Sequence, residues 1–205
     1  MTQREKVIAR SAELFAEYGV KSIRMDDIAQ DLAMSKRTLY ELFADKQELL
    51  YYAMRHSQQV ESQRIAESVD IERDGIPALF QMFEMMFDNV GVRMRLMTNL
   101  KKFYPEVYER LSRESRDEGL ARLHKMIVHL IDKGLVSPMI NVDLSVTMFY
   151  YTSIGIFARI GNFVLPEGIT EKHALMYTMI NFFRGISTVK GIEQIDRYIE
   201  QNRPK

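Results

Sequence analysis

Cysteine is absent from the sequence, and so is any long apolar run, and these two absences exclude several classes of protein. Without cysteine there is no disulfide framework and no thiolate chemistry, which is typical of the reducing cytoplasm. No apolar stretch approaches the ~18 residues that suggest a membrane span. The first residues, MTQREKVIARSAEL, are too polar for a secretory signal peptide. We therefore expect a cytoplasmic protein with no membrane contact.

A net charge is also lacking, because 28 basic residues are balanced by 28 acidic ones. The first fifty residues do not differ, since they hold eight basic and nine acidic residues and carry a net charge of −1. The sequence therefore offers no global positive field to attract nucleic acid. Any binding to DNA must depend on a local arrangement of charges and on two copies acting together.

Motifs for catalysis are missing as well. The sequence contains no GxSxG pattern, no P-loop and no glycine-rich phosphate loop after a strand. His124 and His129 are five positions apart, not the four that place two ligands on one helical face, so a zinc site is not expected. We expect neither an enzyme nor a bound metal or cofactor.

Apolar residues recur at helical spacing along nearly all of the 205 residues, and strand-like alternation is rare. This pattern predicts an all-α fold. A capping box at Thr2 and Glu5 opens the first helix, and Gly19 ends it. Gly91 and Gly191 are expected to interrupt later helices, and residues 69–75 to form a hinge. The predicted helices cover residues 3–18, 25–32, 36–42, 45–69, 76–90, 92–103, 106–133, 143–163, 170–189 and a short segment after Gly191.

The most informative segment is residues 28–43, IAQDLAMSKRTLYELF, where three residues separate two short helices. Ile28 and Ala29 lie on one face of the first helix, and Leu39 and Phe43 on one face of the second. The small Ala29 allows a close approach that leaves the outer face of the second helix open. Such a helix can enter the major groove of DNA, N-terminal residues first. The open face holds donors of the kind that contact phosphates and base edges: Lys36, Arg37, Thr38 and Tyr40.

Residues 1 to about 55 resemble the TetR family of bacterial transcription regulators. The resemblance rests on the helix ending at Gly19, Asp27-Ile28-Ala29, Ser35-Lys36-Arg37-Thr38-Leu39-Tyr40, Phe43, Asp45-Lys46 and Glu48-Leu49-Leu50. It implies a three-helix helix-turn-helix DNA-binding domain over residues 1–55, including the start of a connecting fourth helix. Residues 56–205 would then form a larger helical domain for effector binding and dimerisation, where only the architecture matches the family.

The resemblance implies a DNA-binding role for seven residues: Arg24, Ser35, Lys36, Arg37, Thr38, Tyr40 and Lys46. In this assignment Lys36, Arg37 and Thr38 form the reading end of the second helix. Tyr40 contacts the DNA backbone, and Lys46 holds a phosphate at the start of the fourth helix. The alternatives are solvated charges at Lys36 and Arg37, partial burial of Tyr40, and a purely helix-stabilising role for Thr38.

Two positions depart from the family pattern. Ala33 stands where the family usually has glycine, and a left-handed backbone there would cost about 1–2 kcal/mol. Arg24 replaces the usual Ser or Thr before the second helix and cannot cap it. Contact with a phosphate and simple solvation are equally compatible with Arg24.

The interior is rich in methionine and phenylalanine, with fourteen and eleven residues. Core packing explains such residues one by one, whereas a cavity for a hydrophobic ligand is the alternative. The resemblance implies such a cavity, whose ligand weakens DNA binding by favouring another spacing of the two reading heads. The candidate lining residues are Phe83, Met86, Phe87, Met97, Asn99, His124 and Arg159.

The segments 143–163 and 170–189 are too apolar for a lone surface. They are either buried within one subunit or covered by a second copy, and the resemblance implies a four-helix homodimer interface. The candidate interface residues are Tyr151, Ile154, Phe157, Phe182, Phe183 and Ile186. Two copies would read two half-sites of a palindrome.

Together these observations predict a sequence-specific DNA-binding regulator, a homodimeric repressor of a palindromic operator that a small, largely hydrophobic ligand releases. Two other classes stay open. One is a helical enzyme or small-molecule carrier in which the helix-turn-helix is not functional. The other is an interaction protein whose C-terminal helices bind a different partner.

Overall fold

The computed structural model describes residues 1–88, 90–158 and 164–202. These residues are helical almost throughout, and besides helices they contain an isolated antiparallel bridge between Val136 and Ser187. The all-α class is therefore confirmed. The helices are α1 (Gln3–Tyr18), α2 (Met25–Asp31), α3 (Lys36–Leu42), α4 (Lys46–Ser68), α5 (Ile71–Asp74), α6 (Ile76–Asp88), α7 (Val90–Phe103), α8 (Pro105–Asp132), α9 (Val142–Ala158), α10 (Glu171–Ile186) and α11 (Val189–Gln201).

The chain forms two compact units: the first joins Met1–Arg64 with Gly91–Ser115, and the second joins Ile65–Val90 with Arg116–Lys205. The predicted DNA-binding segment, residues 1–55, lies within the first unit. That unit also takes in α7 and the start of α8, because Leu100, Val107 and Leu111 are buried in its core. As an assignment of function, the division at residue 55 stays a prediction.

Capping interactions define the helix ends of the first unit. Thr2 Oγ1 accepts a hydrogen bond from the Glu5 N–H at 3.2 Å, and the Glu5 carboxylate accepts one from the Thr2 N–H at 2.7 Å. The helix ends at Gly19, whose φ of +83° lies in the left-handed region. Asp45 Oδ1 accepts from the Glu48 N–H at 2.8 Å before α4. The capping signals of the sequence are thus confirmed.

A tight turn joins α2 to α3. Ala33 has a φ of +49°, so the left-handed backbone suspected from the sequence is present at a residue with a Cβ. The Ala33 N–H donates to the Gln30 carbonyl oxygen at 3.1 Å, and the Met34 N–H donates to the Ala29 carbonyl oxygen at 2.9 Å. These two bonds close the turn between Ala29 and Met34 and set the direction in which α3 begins.

Apolar packing holds α2 and α3 in the core of the first unit. Ile28 and Leu39 are fully buried, and Phe43 is 1% exposed. They pack in one cluster with Phe15 of α1 and Leu50 of α4. Because the inner side of α3 is buried in this way, its opposite side faces solvent.

An aromatic cluster fills the core of the second unit. Phe80 of α6 contacts Phe183 of α10 with ring centres 5.8 Å apart, and Tyr198 of α11 with ring centres 5.1 Å apart. Phe149 of α9 contacts Phe83 at 5.4 Å. Helices α6, α9, α10 and α11 therefore share one apolar interior.

Three glycine or loop predictions need correction. Gly191 lies inside α11 and permits a close approach, since a Cβ there would lie 2.1 Å from the Leu135 carbonyl oxygen. The break comes earlier, at Thr188, which caps α11. Gly91 lies inside α7. The predicted hinge, residues 69–75, contains the short helix α5.

Two predicted helix ends also differ from the description. Helix α10 ends at Ile186 rather than at residue 189, and the predicted end of α9, residues 159–163, lies outside the described residues.

None of the helices within the described residues is both long enough and apolar enough to cross a membrane.

Replacing Ala33 by glycine should raise the free energy of unfolding by about 1 kcal/mol, because glycine adopts a positive φ without the Cβ clash. Urea unfolding followed by circular dichroism measures this. Ala29→Gly is the matched control, since Ala29 lies inside α2 and its replacement should lower stability by about 1 kcal/mol. A loss of stability in Ala33→Gly would contradict the assigned turn.

Candidate nucleic-acid interface

The start of α3 is organised by two hydroxyl groups. Ser35 Oγ accepts a hydrogen bond from the Thr38 N–H at 3.0 Å and lies 2.8 Å from Thr38 Oγ1. Ser35 therefore caps the helix as predicted. Thr38 is half-buried, and its hydroxyl is hydrogen-bonded to that of Ser35. Both residues therefore stabilise the start of α3.

The outward side of α3 carries three of the predicted contact residues. The side chains of Lys36 and Arg37 are 65% and 89% exposed, and Tyr40 is 50% exposed. Leu39, between them in sequence, is fully buried. The structure thus places an ammonium, a guanidinium and a phenol on the exposed face of α3, opposite its buried apolar face.

Both cations have carboxylate partners. Lys36 Nζ lies 2.5 Å from Asp26 Oδ2 of α2, and Arg37 Nε lies 2.9 Å from Glu41 Oε1 one helical turn further along α3. Sequence reasoning missed both partners. Spacing i,i+4 could have revealed Glu41, whereas Asp26 lies on a different helix and gives no such signal.

Arg24 occupies the N-cap position of α2 and is exposed. Its side chain cannot accept a hydrogen bond, and the exposed end of α2 is instead stabilised by Asp27, whose Oδ2 accepts from the Arg24 N–H at 2.8 Å. The expectation that Arg24 is not a cap is consistent with this geometry. Phosphate contact and simple solvation both stay open for its guanidinium.

Lys46, predicted to hold a phosphate, has a different partner in the structure. Its half-buried ammonium donates to the Val20 carbonyl oxygen at 2.6 Å and lies 5.2 Å from the ring centre of Tyr104. Lys46 therefore connects the start of α4 to the loop after α1 and to the end of α7. In the phosphate role the Lys46 ammonium would bind a phosphate in competition with the Val20 carbonyl oxygen. That role stays a prediction.

Two further basic residues contact partners within the first unit. The Arg4 guanidinium lies 4.1 Å from the ring centre of Tyr52 and 4.7 Å from that of Phe43. Arg10 makes a two-pronged contact with Asp31, with N–O distances of 2.7 and 2.9 Å. These hydrogen bonds hold the pKa of the Asp31 carboxyl below its usual value. Sequence patterns gave no indication of either contact.

The predicted ligand-pocket residues do not form one group. Phe83 and Phe87 are buried with ring centres 5.9 Å apart, and Met86 packs half-buried against the same core. His124 lines an open depression of about 270 Å³ between α8 and α9, and its Nε2 lies 3.3 Å from Asp143 Oδ1.

The remaining pocket predictions fall elsewhere. Met97 packs, half-buried, against the core of the first unit, and Asn99 belongs to the same unit. They are therefore not neighbours of Phe83 within one core. Arg159 lies outside the described residues.

The predicted dimer-interface residues differ strongly in exposure. Tyr151 is 52% exposed, and Leu144 and Met148, which sequence reasoning missed, are similarly exposed on the same stripe of α9. Phe183 is fully buried in its own chain, so no surface of it is left for a second copy and its assignment is corrected. Ile154, Phe182 and Ile186 are half-buried, and the side chain of Phe157 lies outside the described residues.

Comparison with known proteins agrees with this geometry. Residues 7–53 match the family model described as bacterial regulatory proteins, tetR family. No curated protein sequence matches the chain. A TetR-family transcriptional regulator from Marinobacter aquaeolei VT8 is similar in structure, with a TM-score of 0.67, 20% identity and coverage of 100% of both chains.

Two other solved structures have the same fold. A transcriptional regulator from Cytophaga hutchinsonii gives a TM-score of 0.72 at 18% identity, over 90% of this chain and 98% of that one. SmeT, the repressor of the Stenotrophomonas maltophilia multidrug efflux pump SmeDEF, gives 0.64 at 17% identity, over 92% of each chain.

The predicted resemblance is thereby confirmed: residues 7–53 match the TetR-type N-terminal domain, and the chain has the fold of the TetR-family transcriptional regulators to which it is similar. The matched proteins are transcription regulators and not enzymes.

Lys46→Met should lower the free energy of unfolding by about 1 kcal/mol, because a half-buried charged hydrogen bond to the Val20 carbonyl is lost. Urea unfolding measures the loss, and Lys6→Met, at an exposed lysine of α1, should change stability by less than about 0.5 kcal/mol. Unchanged stability combined with a shallower salt dependence of DNA binding would instead establish Lys46 as a phosphate ligand.

Proposed function

We propose that this protein is a sequence-specific DNA-binding repressor that acts as a homodimer in the cytoplasm and is released by a small, largely hydrophobic ligand. The observation that carries the proposal is the two-sided character of α3. Its apolar side is buried at Leu39, and its exposed side presents Lys36, Arg37 and Tyr40, within a segment that matches the TetR family model. An α-helix presented in this way fits the major groove.

Each exposed group on α3 suits a different part of the duplex. The Lys36 ammonium is a compact charge suited to a phosphate, whereas the Arg37 guanidinium has the planar geometry that reads a guanine edge. Tyr40 can donate its hydroxyl to the DNA backbone, and Arg24 lies at the N-terminus of the neighbouring helix. Ser35 and Thr38 support these contacts by holding the helix start.

A second copy answers two difficulties. One α3 helix, in an N-terminal segment of fifty residues whose net charge is −1, makes few phosphate contacts, and two copies double them. The exposed stripe of Leu144, Met148 and Tyr151 on α9 is apolar enough to need a cover. A twofold dimer would present two copies of α3 to a palindrome.

Release by a hydrophobic ligand is supported by composition and by a neighbour. SmeT has been solved as a complex with triclosan, in a structure 15% identical to this chain with a TM-score of 0.58. In the present structure the rings of Phe83, Phe87 and Phe149 pack directly on one another. A ligand at this place would have to part these rings, so the proposed ligand site is one that opens on binding.

Selection of bound sequences from a random DNA pool tests the proposal. A palindrome whose affinity falls steeply with salt supports a dimeric regulator. A folded protein that enriches no sequence, with and without added triclosan, would contradict it and favour a carrier or an interaction protein.

Removing the α3 cations should weaken binding in two distinguishable ways. Arg37→Ala should cost about 1–3 kcal/mol on the selected operator and relax the preference at one base position. Lys36→Ala should weaken operator binding without changing the preferred sequence and reduce the salt slope on the operator by about one per subunit. Fluorescence anisotropy at several salt concentrations measures both. Arg197→Ala and Lys125→Ala, at exposed positions of α11 and α8, remove the same charges far along the chain and should leave binding unchanged.

Tyr151→Glu should convert the dimer to a monomer, because it places a charge in the apolar stripe of α9. Light scattering after size-exclusion chromatography measures the mass. Tyr18→Glu is the control, since Tyr18 is similarly exposed, at 55%, but lies in the first unit. A Tyr151→Glu protein that stays dimeric would place the interface elsewhere.

A further inference from the structure

The Lys36 ammonium carries its own counter-ion. Its Nζ lies 2.5 Å from Asp26 Oδ2, and the side chains of Lys36 and Asp26 are 65% and 52% exposed. The pair joins the first turn of α2 to the first residue of α3, which is the end of α3 that enters the groove in the proposed function. A phosphate and Asp26 would therefore compete for the same ammonium.

The neighbouring pair has a different geometry. Glu41 contacts Arg37 through Nε, at 2.9 Å, which leaves the outer edge of the guanidinium with its two Nη groups for a base. An ammonium has no second edge, since it is a compact point charge. Arg37 can keep its contact with Glu41 on DNA, whereas a phosphate at Lys36 must share one point charge with Asp26.

This competition bears most heavily on DNA of the wrong sequence. Non-specific binding comes almost entirely from cations that replace counterions at phosphates. A lysine that is already neutralised releases fewer counterions, and the adjacent carboxylate repels the backbone. At a matching operator, base contacts by Arg37 hold α3 in the groove and can offset the loss of the Lys36 pair.

We propose that Asp26 is a specificity-determining residue: an intramolecular counter-ion of Lys36 that lowers affinity for non-operator DNA more than affinity for the operator. This inference rests on the proposed DNA-binding function. It assigns selectivity to a residue that does not itself read a base.

The test compares full-length Asp26→Asn with the parent on two duplexes of equal length, the selected operator and a scrambled sequence. Asp26→Asn should bind the scrambled duplex about three- to tenfold more tightly, with a salt slope steeper by about one per subunit. Its gain on the operator should be smaller, so the ratio of the two affinities falls.

Glu13→Gln is the matched control. Glu13 is an exposed carboxylate of the same unit, and its partner Arg10 keeps the contact with Asp31, so the substitution makes the same charge change away from α3. It should alter neither affinity by more than about twofold. Thermal melting establishes that both variants are folded, and Asp26→Ser replaces Asp26→Asn if the latter is not.

The background Lys36→Met separates the pair from a general effect of charge. In that background Asp26→Asn should no longer raise affinity for the scrambled duplex, because the ammonium that Asp26 neutralises is absent. The inference is overturned if Asp26→Asn raises affinity for the scrambled duplex equally with and without Lys36. It is also overturned if Asp26→Asn and Glu13→Gln have the same affinities for the two duplexes. Weaker operator binding by Asp26→Asn also overturns it, since Asp26 would then be an acceptor for a base. A parent protein with no sequence preference would refute the proposed function itself.

Discussion

Burial of Leu39 and Phe43 on one side of α3 is the constraint on which the exposed face of α3 depends. A helix of seven residues has little stability alone, so its conformation must come from this packing and from the cap at Ser35. Once both apolar side chains are inside, the spacing of the helix places Lys36, Arg37 and Tyr40 outside. The left-handed turn at Ala33 completes the arrangement by setting where α3 begins.

Five basic residues of the first unit fall into two groups with different contacts. Arg4, Arg10 and Lys46 contact aromatic rings, a carboxylate and a backbone carbonyl within the unit. Lys36 and Arg37 lie on the open helical face with exposed partners. A net charge over fifty residues therefore says little about DNA binding, because it averages cations that hold the fold with cations that face solvent.

Local signals in the sequence predicted local structure well. The caps at Thr2 and Ser35 and the bounds of α3 follow from interactions within a few residues. Contacts between distant residues were missed: Lys46 meets Val20 across 26 positions, and Lys36 meets Asp26 on another helix, only because the helices pack as they do. Gly191 was read as a break because a sequence does not distinguish a chain reversal from a close helix contact. Phe183 shows a similar limit, since an apolar stripe does not reveal whether its own chain or a second copy buries it.

The first unit is discontinuous in sequence, and this has a consequence for its synthesis. Leu100 and Leu111 are fully buried, together with Val107, in a core whose other buried members lie within residues 7–54. A nascent chain released from the ribosome up to residue 90 contains the whole of α3 but lacks part of the core that orients it. The unit can therefore be completed only after α7 and the start of α8 have emerged, and an interrupted translation product would lack the packing that fixes α3.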